Sequence, residues 1–332
     1  MIPVADAHCD LLSYLQTAAN ASPLANESRC SLPLLEQGGV VLQTTAIFTV
    51  TRQGSTQVAA GEVEKLIHLL KNYSERVYLL SQLEQLSDVP FAGKIALLPA
   101  IENASSFCEE HEPIQKGFER LAQMQQQLGR IFYISLTHHT ENRFGGGNQT
   151  NTGLKDDGKR LLDYLANQQI AIDFSHTSDA LAHDVLSYID KQQLPLQVMA
   201  SHSNFRALHS HPRNLPDEIA KEIIRRNGII GLTWLKAYLG DAPLNLFNHL
   251  RYGISLGAEN LMVCGADLFY YLPKHFPQGV FFDRYSNASH YQVLIADMEA
   301  QNFTEKTKKG FLHRNLLRFL YKLWQKKGER LQ

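Results

Sequence analysis

Asp6-Ala7-His8-Cys9-Asp10 follows the short apolar run Ile2-Pro3-Val4-Ala5. On a strand, alternate side chains share a face, so the spacing predicts that Asp6, His8 and Asp10 point the same way. A neutral imidazole beside a carboxylate at a strand's end is a good ligand pair for a divalent metal such as zinc. Alone, the triplet is more often a polar rim than a ligand pair. Its weight depends on what the other strand ends carry.

Later apolar runs end in Ile101-Glu102-Asn103, Thr137-His138-His139, Ser175-His176-Thr177, Ser201-His202-Ser203 and Ala266-Asp267. Each has a plain structural reading. A lone histidine there is a satisfied polar residue, Glu102 a loop carboxylate, and Asp267 a helix cap. Gathered on one rim, such groups are costly to bury unless they neutralise one another or hold cations. A two-metal site meets that cost, because carboxylates cancel metal charge and neutral imidazoles complete the shells.

The elements that would position these groups alternate from end to end. Strands are predicted at Pro3 to His8, Gly39 to Phe48, Lys94 to Ile101, Ile131 to Thr137, Ile170 to Ser175, Leu196 to Ser201, Gly228 to Trp234 and Leu261 to Gly265. Helical patterns lie between them, at Gly61 to Tyr73, Gln115 to Gln127, Asp156 to Asn167, Asp179 to Ile189, Asp217 to Arg226 and Leu244 to Leu256. Most strand candidates are continuous apolar runs, as in a parallel sheet buried on both faces. The pattern predicts an α/β fold: a (β/α)8 TIM-type barrel over residues 1–332 as one domain. An open doubly wound sheet would favour a glycine-rich first turn, and here the first strand ends in His-Cys-Asp. Thr140 to Gly158, with Gly145-Gly146-Gly147, reads as a mobile loop bordering the site. Glu305 to Lys327 carries an apolar stripe at helical spacing, so a C-terminal helix packs on the barrel.

With 44% hydrophobic and 20% charged residues the chain can bury a sizeable core. A net charge of −1 gives no pull toward nucleic acid or anionic membrane. No secretory signal, membrane-span run or lipid-anchor tail is visible. Cys9, Cys30, Cys108 and Cys264 form no Cys-x-x-Cys pair, which fits free thiols and a cytoplasmic location. Cys9 lies between two candidate ligands and, by alternation, faces away from them as an apolar filler.

From about residue 5 to about residue 320 the chain resembles the membrane (renal) dipeptidases, a metallopeptidase branch of the amidohydrolase-like barrels. The resemblance rests on Asp6-Ala7-His8-Cys9-Asp10, Ile101-Glu102, Leu136-Thr137-His138, Ile172-Asp173-Phe174-Ser175-His176, Ala200-Ser201-His202-Ser203, Arg213-Asn214-Leu215-Pro216-Asp217 and Gly265-Ala266-Asp267. It implies two zinc ions per chain, bridged by Glu102 and a hydroxide, with His8 and Asp10 on one and His176 and His202 on the other. It further implies that His138 and Arg213 contact substrate, that Asp267 handles protons, and that the chain forms a homodimer. His138 would also donate to the developing oxyanion. Arg213 suits bidentate capture of a terminal carboxylate, which would restrict hydrolysis to dipeptides. The same centre would serve a related amidohydrolase acting on cyclic amides, esters or N-acyl amino acids, or a non-catalytic metal-binding barrel. Two stretches depart from the family pattern. Asn103-Ala104 stands where small glycines are usual, and Leu268-Phe269-Tyr270-Tyr271 where Phe-Asp-Gly is usual.

Overall fold

The computed structural model describes residues 2–325. Its strands are β1 Val4–Cys9, β2 Val40–Phe48, β3 Val77–Leu79, β4 Ile95–Glu102, β5 Tyr133–Ser135, β6 Ala171–Asp173, β7 Val198–Met199, β8 Ile230–Leu232 and β9 Met262–Cys264. All pair in parallel, in the order β7-β6-β5-β4-β2-β1-β9-β8. One bridge, Ala200 with Ile230, joins β7 to β8 and brings the ring to near closure. The (β/α)8 barrel expected from the sequence is therefore present. All eight expected strands lie in the ring. β3 is additional, pairs only with β4 and stands outside the ring.

Every residue of β1 and β4 is buried, because helices cover one face and the barrel interior the other. Ala5, Ala7, Leu42, Ala96, Leu98, Tyr133, Ala171, Met199 and Val263, drawn from seven ring strands, pack in one cluster and so fill that interior. Leu316, Phe319, Leu320, Leu323 and Trp324 join the same cluster. The C-terminal segment is a helix over Glu305–Lys309, a π turn over Gly310–Arg314 and a helix over Asn315–Trp324. Asn315 at the π turn donates to Glu259 O (3.0 Å) and Met262 O (2.8 Å), and Gln169 Nε2 donates to Trp324 O (2.8 Å). Those partners precede or begin strands, so the last helix plugs the amino-terminal mouth and leaves the other mouth open. Its expected end at Lys327 lies outside the described residues. No helix among the described residues is long and apolar enough to cross a membrane.

Simple alternation fails in β1. Asp6 pairs with Gln43 and Cys9 with Thr45, so three steps on β1 oppose two on β2. Such a bulge resets which face each side chain takes. Asp6 and His8 consequently part. The Asp6 carboxylate accepts from His8 N (2.8 Å), Ala266 N (3.3 Å) and the Tyr291 hydroxyl, whereas the His8 ring meets Tyr133. Asp6 locks β1 to the chain after β9. Cys9 is buried in the apolar cluster between barrel and helices.

Glycines narrow one side of the ring. A Cβ on Gly231 or Gly265 would stand 1.9 or 2.1 Å from Ser201 O, so only glycine lets the turn after β7 sit this close to β8 and β9. That approach sets the position of the next residue, His202.

Candidate metal centre

The open mouth gathers the strand-end groups. Glu102 is the last residue of β4, and one of its oxygens lies 2.9 Å from His176 Nε2, 3.6 Å from His202 Nε2 and 3.8 Å from His138 Nε2. Its other oxygen lies 3.5 Å from His8 Nε2. His8 Nε2 is in turn 3.7 Å from both Asp10 Oδ1 and Asp267 Oδ1. His176 and His202 bring their Nε2 atoms to 3.0 Å. Glu102 thus stands between two sets of donors, one on each oxygen.

Strained backbone helps to aim these groups. His176, Asp267 and Asn103 adopt φ of 68°, 59° and 76°, a region that costs a non-glycine residue roughly 1–3 kcal/mol. Asn103, standing where the family pattern has glycine, is held in that region by its own side chain. Its Nδ2 donates to Thr49 O (2.8 Å), and its Oδ1 accepts from Ser105 N (3.2 Å) and Asn142 Nδ2 (2.9 Å). The loop 140–158 is docked, in contrast to the mobile loop expected. Asn142 also donates to Leu136 O (2.7 Å), Arg143 pairs with Asp157 (2.7 Å), and Asn148 N donates to His176 O (2.8 Å).

Hydrogen bonds behind the imidazoles fix which ring nitrogen faces the mouth. Tyr133 Oη donates to Ala7 O (3.2 Å), so at 2.6 Å it accepts the Nδ1 proton of His8. Ser201 Oγ donates to the Asp173 carboxylate (2.7 Å) and accepts from His202 Nδ1 (2.7 Å). Both rings therefore turn Nε2 rather than Nδ1 into the mouth, the orientation a metal ligand needs. Asp173 is buried and is further held by Ser135 Oγ (2.7 Å), Ser201 N (2.7 Å) and Ser175 N (3.1 Å). Removing an orienting partner of this kind typically lowers metal affinity about 10- to 100-fold. Ser201→Ala is expected to weaken binding of a divalent metal at this cluster by that factor, read by competition against a chelator.

The donor set fits divalent zinc. His8 Nε2 and Asp10 Oδ1 are buried with no hydrogen-bond partner, a costly state that a cation between them relieves. Groups of ligand atoms within 4.8 Å of one another are formed by His8, Asp10 and Glu102, by Glu102, His176 and His202, and by His8, His202 and Asp267. Electrostatics shows the same crowding of opposite charges. Burial acts to lower the His8 imidazole, yet Glu102, Asp10 and Asp267 outweigh it and push it up to about 10. Burial acts to raise Glu102, but His8, His176 and His202 hold it well below the usual carboxylate range. Asp267 is raised to about 7 by burial and by Glu102, with His8 and Arg213 opposing. His138 is lowered to about 3, mainly by burial, and stays neutral.

Arg213 is buried beside this cluster. Its Nη1 donates to Ser203 Oγ (2.7 Å) and Nη2 to His202 O (2.7 Å), while its Nε has no partner. The ring of Tyr238 lies 5.7 Å from the guanidinium carbon. His209 and His211 serve the loop: His209 Nε2 lies 3.1 Å from Ala237 O, and His211 Nδ1 accepts from Arg213 N (3.0 Å). A cavity of about 370 Å³ opens over Glu102, Asp10, His138, His176 and Asp267. His139 also lines it, as do Tyr14, Phe48 and Tyr238, none of which the sequence marked. Tyr14 stands on the seven-residue helix Leu11–Thr17, too short for its periodicity to register. Tyr238 follows β8 in a stretch with no motif of its own.

Barrel and mouth define a class, the parallel (β/α)8 barrel whose strand ends converge on a cluster of metal-competent carboxylates and imidazoles. Within it, the chain belongs to the membrane dipeptidase family (peptidase family M19), whose family model matches residues 1–330. Dipeptidase 3 of Macaca fascicularis is 26% identical across 95% of this chain, and Dipeptidase 3 of Homo sapiens 27% across the same share. The chain spans 64% of the length of each of these relatives. Among solved structures, a metallo peptidase from Rhodobacter sphaeroides, liganded with a phosphinate mimic of the dipeptide L-Ala-D-Ala, superposes with a TM-score of 0.81 at 19% identity. It covers 97% of this chain and 99% of its own. The dipeptidase AC, a metallo peptidase of family M19, superposes at 0.82 with the same identity and coverage.

Proposed function

We propose that the chain is a zinc dipeptidase that hydrolyses the peptide bond of dipeptides bearing a free C-terminal carboxylate. The observation that carries this reading is Glu102, with imidazole nitrogens converging on both of its oxygens. His8 and Asp10 would hold one zinc, His176 and His202 a second, and Glu102 both. Bound there, zinc supplies Lewis acidity toward a carbonyl oxygen and an acidified water as nucleophile. The protein's own groups do the rest. His138, a neutral imidazole at the cavity wall, donates its N–H to the carbonyl oxygen as negative charge develops, worth roughly 3–4 kcal/mol for such a donor. Asp267 takes a proton from the attacking water and returns it to the leaving amine. Arg213 offers its unpartnered Nε–H and the free protons of its fork to the substrate carboxylate. A longer peptide presents an uncharged amide at that position. The phosphinate mimic of L-Ala-D-Ala in the Rhodobacter protein, which shares the fold, supports a dipeptide as occupant.

The test compares a dipeptide, its C-terminal amide and the corresponding tripeptide on zinc-loaded protein. Losing one partner of a buried charge pair costs about 2–5 kcal/mol, so amide and tripeptide are expected to react at least about 30-fold more slowly. Zinc-replete protein that cleaves no dipeptide in a broad panel overturns the reading. An amide cleaved as fast as its acid overturns the role of Arg213 and moves the assignment to the wider amidohydrolases.

A further inference from the structure

The cavity has a polar floor and an apolar wall, and two residues of the wall, Phe269 and Tyr270, belong to the stretch that departs from the family pattern. Phe269, Tyr270, Phe276 and Val280, all after Asp267, face the cavity together with Tyr14 and Leu235. Their rings interlock. Tyr14 and Tyr270 have centroids 5.2 Å apart at 59°, Phe269 and Phe281 5.4 Å apart at 58°, and Tyr271 and Phe276 5.5 Å apart at 82°. The wall is also braced from behind. The Arg29 guanidinium lies over Tyr271 (4.5 Å) and Phe281 (5.3 Å) and donates to Ser286 O (2.9 Å). At the base, Asp10 N donates to Leu268 O (3.1 Å), tying the wall to the backbone of the candidate ligand Asp10. Tilted and edge-on rings held at both ends keep a fixed shape and offer apolar area without a charge.

Ring order shows which part of a substrate meets this wall. Arg213 follows β7, whereas the wall hangs from the chain after β9 and after β1, and β8 stands between. A dipeptide whose carboxylate meets Arg213 has its C-terminal residue on the β7 side. Its N-terminal residue then reaches toward β9 and β1. We infer that the wall built by Tyr14, Phe269, Tyr270 and Phe276 is the side-chain site for the N-terminal residue, and that it selects a large apolar side chain, aromatic or long aliphatic. This inference rests on the dipeptidase reading.

The experiment measures kcat/KM of the zinc-loaded full chain on Phe-Ala, Leu-Ala, Lys-Ala, Ala-Ala and Ala-Phe, with Tyr270→Ala and Phe276→Ala beside the unaltered protein. A few methylenes of complementary apolar contact discriminate by roughly 10- to 200-fold. Phe-Ala and Leu-Ala are therefore expected to exceed Ala-Ala at least about tenfold, with Ala-Phe close to Ala-Ala. In Tyr270→Ala the Phe-Ala to Ala-Ala ratio should collapse to within about threefold. Phe276, 44% exposed at the cavity mouth, tolerates truncation without loss of core, so Phe276→Ala lowers the same ratio even where Tyr270→Ala folds poorly. Ala-Phe matching or exceeding Phe-Ala overturns the inference, as does Lys-Ala exceeding it, or a ratio that neither variant moves. Those outcomes leave the dipeptidase reading standing. No cleavage of any dipeptide overturns both.

Discussion

Glu102→Gln is expected to remove bound metal and activity together. Among the described residues, Glu102 is the one carboxylate approached by all of His8, His138, His176 and His202, at 2.9 to 3.8 Å. Glutamine keeps the shape but offers a single neutral oxygen, and its amide NH2 points donors where a cation would sit. The imidazoles then face each other with no anion between them, and the separation of 3.0 Å between His176 and His202 Nε2 has lost its reason. Losing a mere orienting partner costs a metal site up to about 100-fold, so losing Glu102, which under the proposed reading would serve both ions, should cost more than that. Zinc content by atomic emission is expected to fall below one ion per chain, and dipeptide turnover to drop at least about 10³-fold, a size ordinary for removal of an essential group. Far-UV circular dichroism should be unchanged, because β4 is held by its ladder to β2 and by Asn103. Full zinc occupancy in this variant would show that Glu102 is not shared between two ions.

Asp267→Asn is expected to separate chemistry from metal binding. Asparagine is nearly isosteric and enters the left-handed region as readily as aspartate, so the φ of 59° at this position is preserved. It cannot accept and return a proton. A positioned acid or base is worth about 10²–10⁴-fold, and kcat should fall by that factor with zinc content unchanged. The competing role is visible in the geometry, since Asp267, His8 and His202 bring ligand atoms within 4.8 Å of one another. Were Asp267 a ligand, zinc would leave with the activity. Measuring metal and turnover on the same sample separates the two roles. Burial already disfavours the charged form of Asp267, so the neutral replacement should fold.

Much of the barrel was legible because its signals are local. A buried parallel strand reads as an apolar run, and Lys94 to Ile101 or Gly39 to Phe48 could hardly read otherwise. The metal-competent groups of the mouth were legible for the same reason. His8, Asp10, Glu102, His138, His176, His202 and Asp267 each terminate such a run, and a barrel delivers strand ends to one mouth. β3 escaped although Val77 to Leu80 is a short apolar run, and Leu11–Thr17 because two turns of helix show too little periodicity.

Residue types and their order along the chain thus determined the architecture and the chemistry available at its rim. Register and long-range packing decided the rest. The bulge in β1 arises from pairing with β2, so no inspection of residues 4–9 alone reveals that Asp6 and His8 part. Which nitrogen His8 and His202 turn to the mouth depends on Tyr133 of β5 and, through Ser201, on Asp173 of β6. The aromatic wall forms only because Tyr14 and Tyr270, far apart in sequence, meet where β1 and β9 are neighbours. Local free energies are written in the sequence, whereas the direction of a side chain in a closed ring depends on which strands pair and in what register.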